Sequence, residues 1–71
     1  MRVLVVDDEL EMAALLARGL VGEGYEVEIA ADGIRAITMA GEQRYDLAVL
    51  DVTMPGMSGF ELLERLTAMA P

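Results

Sequence analysis

The stretch Val49-Leu50-Asp51-Val52-Thr53-Met54-Pro55-Gly56-Met57-Ser58-Gly59 decides how this chain is read. It puts one carboxylate, Asp51, at the end of the apolar run Leu47-Ala48-Val49-Leu50, which reads as a buried strand. Pro55 fixes its φ and Gly56 accepts unusual angles, so a shaped loop follows. Ser58-Gly59-Phe60-Glu61 fits the S-x-x-E capping box, so a helix starts there. The only comparable apolar run, Met1 to Val6, also ends in acid, at Asp7-Asp8-Glu9. Two strands that terminate in aspartate bring three carboxylates, Asp7, Asp8 and Asp51, to one edge of a parallel sheet. Two like charges about 4 Å apart repel by about 4 kcal/mol at an effective dielectric near 20. A fold that builds such a cluster needs it for something, most simply to hold a hard cation such as Mg²⁺.

Strand and helix alternate along the rest of the chain, with no linker, low-complexity tract or internal repeat. Val3-Leu4-Val5-Val6 is a run suited to burial on both faces. From Glu9 to about Val21, Met12, Leu16 and Leu20 recur every fourth residue beside Ala13 and Leu15, an apolar helical stripe that Gly22 and Gly24 stop. Glu26-Val27-Glu28-Ile29 alternates as an edge strand with one wet face, and Glu23, Glu26 and Glu28 read as solvated. Asp32 is placed to cap a short helix carrying Ile34, Ala36, Ile37 and Ala40. The last helix carries Phe60, Leu62, Leu63, Leu66 and Met69. The expected strands are 2–6, 26–29 and 46–50, parallel in an open α/β sheet with right-handed crossovers. Ligands of such sheets sit beyond the carboxyl ends of the strands, where Asp7, Asp8 and Asp51 lie.

Composition narrows the chemistry. The 71 residues make at most one small domain, whose core supplies no more than about 3–5 kcal/mol unaided. Without cysteine or histidine, disulfides, thiolate metal sites, ordinary zinc sites and histidine base catalysis drop out. A net charge of −8 argues against direct nucleic-acid binding by this segment. The apolar run after Met1 is too short for a signal core or a membrane span, so a cytoplasmic location is expected. The six methionines read as gap-filling core residues.

Each acidic site alone has an ordinary explanation. Acids at a helix start meet the positive end of the helix dipole, and many strands end in aspartate before a turn. The conjunction is the unusual feature. At this point the chain resembles the receiver domain of bacterial response regulators. The resemblance is carried by Val3-Leu4-Val5-Val6-Asp7-Asp8-Glu9, Gly24-Tyr25-Glu26-Val27, Ala31-Asp32-Gly33, Tyr45-Asp46-Leu47-Ala48-Val49-Leu50-Asp51 and Met54-Pro55-Gly56-Met57-Ser58-Gly59-Phe60-Glu61-Leu62-Leu63, and it covers the chain without a gap.

The resemblance implies a partial flavodoxin-like (CheY-like) fold, (βα)3 with the strand order 2-1-3, and a two-component signalling role. Asp51 is then the phospho-acceptor, taking a phosphoryl group from a phosphohistidine of a sensor histidine kinase. Asp8 is a direct Mg²⁺ ligand, Asp7 holds the ion directly or through water, and the backbone carbonyl of Thr53 is the third protein contact. The Thr53 side chain reads as a loop or solvent group. Catalysis is limited to assisting phosphoryl transfer to and from the chain itself, so the chain is not an enzyme with a separate substrate. A haloacid-dehalogenase-type phosphatase also uses an aspartate after a strand. It needs a second acid two residues on, and Val52-Thr53 offers none.

The family fold has five βα units in the strand order 2-1-3-4-5, and this chain accounts for three. Residues 1–71 are therefore expected to be the N-terminal part of a receiver domain. The hydroxyl residue and the lysine that the family places after its later strands have no counterpart, and the chain contains no lysine. Leu47 to Leu50 becomes an open apolar edge, a template for pairing with another chain. The alternative expectation is thus a truncated half-domain that self-associates, most simply as a dimer, through its third strand and does not signal.

Overall fold

A computed structural model describes residues 1–52 and 54–69. Its elements are β1 (Arg2–Val6), α1 (Leu10–Gly22), β2 (Glu26–Ala30), α2 (Gly33–Glu42), β3 (Leu47–Leu50) and α3 (Gly59–Met69). The strands are parallel in the order β2-β1-β3, as expected. Val3 stands between Val27 and Leu47, and Val6 between Ala30 and Leu50. The register is pinned at the start of the strands: the Arg2 amide donates to Asp46 Oδ2 at 2.7 Å, and the Asp46 amide donates to the Arg2 carbonyl at 2.8 Å.

β1 alone is buried on both faces, with Val3, Leu4, Val5 and Val6 at most 1% exposed. Leu4 and Val6 face α2 and α3 in a core completed by Ala30, Ala36, Met54, Met57 and Leu62. Val3 and Val5 face α1 through Ala13, with Leu20, Tyr25, Val27 and Val49 beside them. The expected burial of the third strand holds only at one end. Leu47 and Ala48 are exposed because β1 is the only neighbour of β3 among the described residues, while Val49 and Leu50 are half-buried.

The helix boundaries follow local chemistry. Gly24, at φ +96°, ends α1: its amide donates to the Val21 carbonyl at 2.9 Å and the Tyr25 amide to the Leu20 carbonyl at 3.1 Å. This is a Schellman cap, and its usual apolar contact is supplied by Tyr25 and Leu20 in one cluster. Asp32 caps α2, its Oδ1 accepting from the Arg35 amide at 2.7 Å. Ser58 caps α3, its Oγ accepting from the Glu61 amide at 3.2 Å.

Three expectations need correction, for α1, for Glu28 and for the methionines. The α1 contact line runs through Ala13, at 0% exposed, whereas Met12, Leu15 and Leu16 are exposed. A small residue lets the helix approach the sheet closely, and the larger side chains fall to either side. Glu28 is not a solvated residue: it is half-buried and accepts a hydrogen bond from the Tyr45 hydroxyl. Burial, and then the Glu28 carboxylate beside it, push the Tyr45 phenol up to about 12, so it stays a protonated donor through the ordinary pH range. Glu26 is exposed as expected and pairs with Arg2 at 3.0 Å. Met54 and Met57 enter the core, while Met1, Met12 and Met69 are exposed.

Candidate functional site

The sheet places the three aspartates by continuing its ladder one residue past the strands. The Asp7 amide donates to the Ala30 carbonyl at 3.1 Å, and the Asp51 amide donates to the Val6 carbonyl at 2.9 Å. Asp7 and Asp51 therefore stand at the same end of adjacent strands, both half-buried, with Asp8 exposed next to them. One carboxylate oxygen from each of Asp7, Asp8 and Asp51 lies within 4.8 Å of the others. The convergence expected from the sequence is thus present. Asp7 has a second task, because its Oδ1 accepts from the Glu9 amide at 2.9 Å and so holds the turn into α1.

The donor set is entirely carboxylate oxygen, the set that a hard divalent cation accepts and that a soft metal does not. One oxygen from each acid, all within a few ångströms, suits an ion that keeps several waters. The residues therefore fit the Mg²⁺ that the sequence implies at Asp7, Asp8 and Asp51. The other expected contact, the Thr53 carbonyl, lies outside the described residues.

The loop after Asp51 is anchored from below by Met54 and Met57, each no more than 8% exposed. Gly56, at φ +84°, gives the loop its reversal, a conformation that an L side chain would strain. Loop and helix then close on the strand end: the Gly59 amide donates to the Val52 carbonyl at 2.9 Å. Sequence reading places Gly59 only at the loop–helix junction. That it lies against the backbone just past β3 is a tertiary contact, and a glycine at the start of a helix is its only trace in the sequence. No helix among the described residues is long and apolar enough to cross a membrane.

Comparison with known proteins agrees with this geometry. The family model described as the response regulator receiver domain matches residues 3–71. The transcriptional regulatory protein TcrA of Mycobacterium tuberculosis is 51% identical over 65 residues, covering 92% of this chain and 26% of that protein. The response regulator TrrA of Thermotoga maritima, solved in complex with Mg²⁺ and BeF, superposes with a TM-score of 0.92 at 41% identity, covering 96% of this chain and 59% of that one. The same regulator in complex with the histidine kinase ThkA gives a TM-score of 0.92 at 40% identity, over 97% of this chain and 60% of that one. The chain spans about a quarter of the length of the first curated relative and somewhat over half of these solved chains.

Proposed function

This chain belongs to the response regulator receiver domain family, and from that premise we propose that Asp51 accepts a phosphoryl group from a histidine kinase, with Mg²⁺ held at Asp7, Asp8 and Asp51. Receiver domains are signalling modules, and the one observation that carries the reading is the meeting of the three carboxylates within 4.8 Å at the carboxyl end of the sheet.

In the proposed step an Asp51 carboxylate oxygen attacks phosphorus in line. The P–N bond of the donor phosphohistidine breaks, its electron pair returns to the imidazole, and an aspartyl phosphate remains. The hydrogen bond from the Asp51 amide to Val6 fixes the acceptor at the sheet end, so the attacking oxygen starts from a defined place. Asp7 and Asp8 supply the remaining carboxylates. A bound Mg²⁺ neutralises phosphoryl charge and offsets the mutual repulsion of the three acids. The superposition on a regulator solved with its histidine kinase supports the choice of donor.

The test is transfer of label from an autophosphorylated sensor kinase, or from acetyl phosphate, to the chain with Mg²⁺ present. Uptake that stops on chelation supports the reading, and a folded chain that takes no label from any donor rejects it.

Among the described residues β3 pairs only with β1 and Leu47 is 44% exposed, which also suits pairing with a second copy of the chain. Sedimentation at micromolar concentration should then show a dimer, and a monomer throughout would remove this association.

A further inference from the structure

Gly59 opens α3 at the point where that helix meets the acceptor strand. A Cβ built on Gly59 would lie 2.2 Å from the Asp51 carbonyl oxygen, 2.9 Å from the Asp51 carbonyl carbon and 2.9 Å from Val52 Cα. All three atoms are backbone, and they belong to the peptide that follows the acceptor. Gly33 offers a contrast. A Cβ there would meet Met57 Sδ at 2.8 Å, the far end of a flexible side chain that can turn aside.

We infer that Gly59 is a positioning residue for Asp51: its bare backbone lets the first turn of α3 close on the Asp51–Val52 peptide and fix where the acceptor stands. The inference rests on Asp51 being the acceptor. Hydrogen bonds made by the peptides on either side of it hold this peptide in place. On one side the Asp51 amide donates to the Val6 carbonyl at 2.9 Å, and on the other the Val52 carbonyl accepts from Gly59 at 2.9 Å. Any side chain at residue 59 must open the 2.2 Å approach by about 1 Å. The helix cannot absorb all of that movement. Leu62, one turn on, is fully buried in the core with Val6 and Met54 and holds α3 down. Part of the displacement therefore reaches Asp51. A misplacement of about 1 Å at a reacting group can cost about 100-fold in rate.

The experiment compares Gly59→Ala with Leu20→Ala, which removes packing from the core on the α1 face of the sheet, away from α3, and with Gly33→Ala. Each is followed by circular dichroism, by amide shifts and exchange at residues 51, 52 and 59, and by phosphoryl uptake from acetyl phosphate with Mg²⁺ per folded molecule. Gly59→Ala is expected to shift the amides of residues 51 and 52, to lose protection at residue 59, and to slow uptake about 100-fold. Leu20→Ala and Gly33→Ala should keep the wild-type rate per folded molecule. A folded Gly59→Ala with unshifted amides at 51 and 52, or a parallel loss of rate in Gly59→Ala and Leu20→Ala, overturns the inference. Should Gly59→Ala fail to fold, the wild-type Gly59 amide decides: exchange as slow as in β1 supports the clamp, and exchange as fast as in an exposed loop overturns it. A wild type that takes no phosphoryl group strikes the proposed function, and the amide measurements then decide the clamp separately.

Discussion

Asp51→Asn should fold normally and take up no phosphoryl group. The substitution is nearly isosteric and leaves the backbone intact, including the Asp51 amide bond to Val6. A neutral amide oxygen is a far weaker nucleophile toward phosphorus than a carboxylate, and no second acid lies two residues on to replace it, since residue 53 is threonine. The variant should also be more stable than the wild type when Mg²⁺ is absent. Three carboxylates with oxygens inside 4.8 Å repel one another, and this change removes one of the charges. A like-charge pair about 4 Å apart costs about 1 kcal/mol in bulk water and about 4 kcal/mol at an effective dielectric near 20, and half-buried groups fall between these bounds. Urea melts in chelator should show a higher midpoint for Asp51→Asn, and saturating Mg²⁺ should narrow the difference. An unchanged midpoint in chelator would mean that the three charges do not feel one another.

Asp8→Asn should all but abolish Mg²⁺ binding. Asp8 is exposed and takes no part in the ladder hydrogen bonds that place Asp7 and Asp51, so the fold has little reason to change. What changes is the donor set, from three carboxylates to two. Loss of a partner that merely orients a ligand already costs about 10–100-fold in metal affinity, and loss of a direct ligand should exceed that range. Calorimetric titration with Mg²⁺ or Mn²⁺ checks it, with affinity falling by about 100-fold or more. Equal affinities in the wild type and Asp8→Asn would remove Asp8 from the site. A selective effect on binding, with the melting curve in chelator unchanged or raised, separates this outcome from simple unfolding.

The parts of the fold that were legible in the sequence are those that local chemistry decides. The apolar run Val3 to Val6, the glycine stop at Gly24 and the caps Asp32 and Ser58 are properties of a few adjacent residues, and each appears in the structure where it is expected. The acid cluster was legible for a related reason. Parallel strands joined by helices present the same end to the same edge, and the order 2-1-3 that the family resemblance implies makes β1 and β3 neighbours, so the carboxylates after them meet. What escaped depends on partners far apart in sequence. Glu28 is half-buried and accepts a hydrogen bond from Tyr45, seventeen residues away. The contact line of α1 passes through Ala13 and not its larger neighbours because the sheet selects the closest approach. Gly59 has a defined task only when the Asp51–Val52 peptide is against it.

The account stands most directly on where the phosphoryl group goes. The chain is incubated with acetyl phosphate and Mg²⁺, digested at low pH to preserve an acyl phosphate, and its peptides are weighed. The mass of one phosphoryl group is expected on the peptide containing Asp51, absent after incubation in chelator and absent from Asp51→Asn. A phosphoryl group found on another residue, or uptake at Asp51 that is unaffected by chelation, would contradict the account.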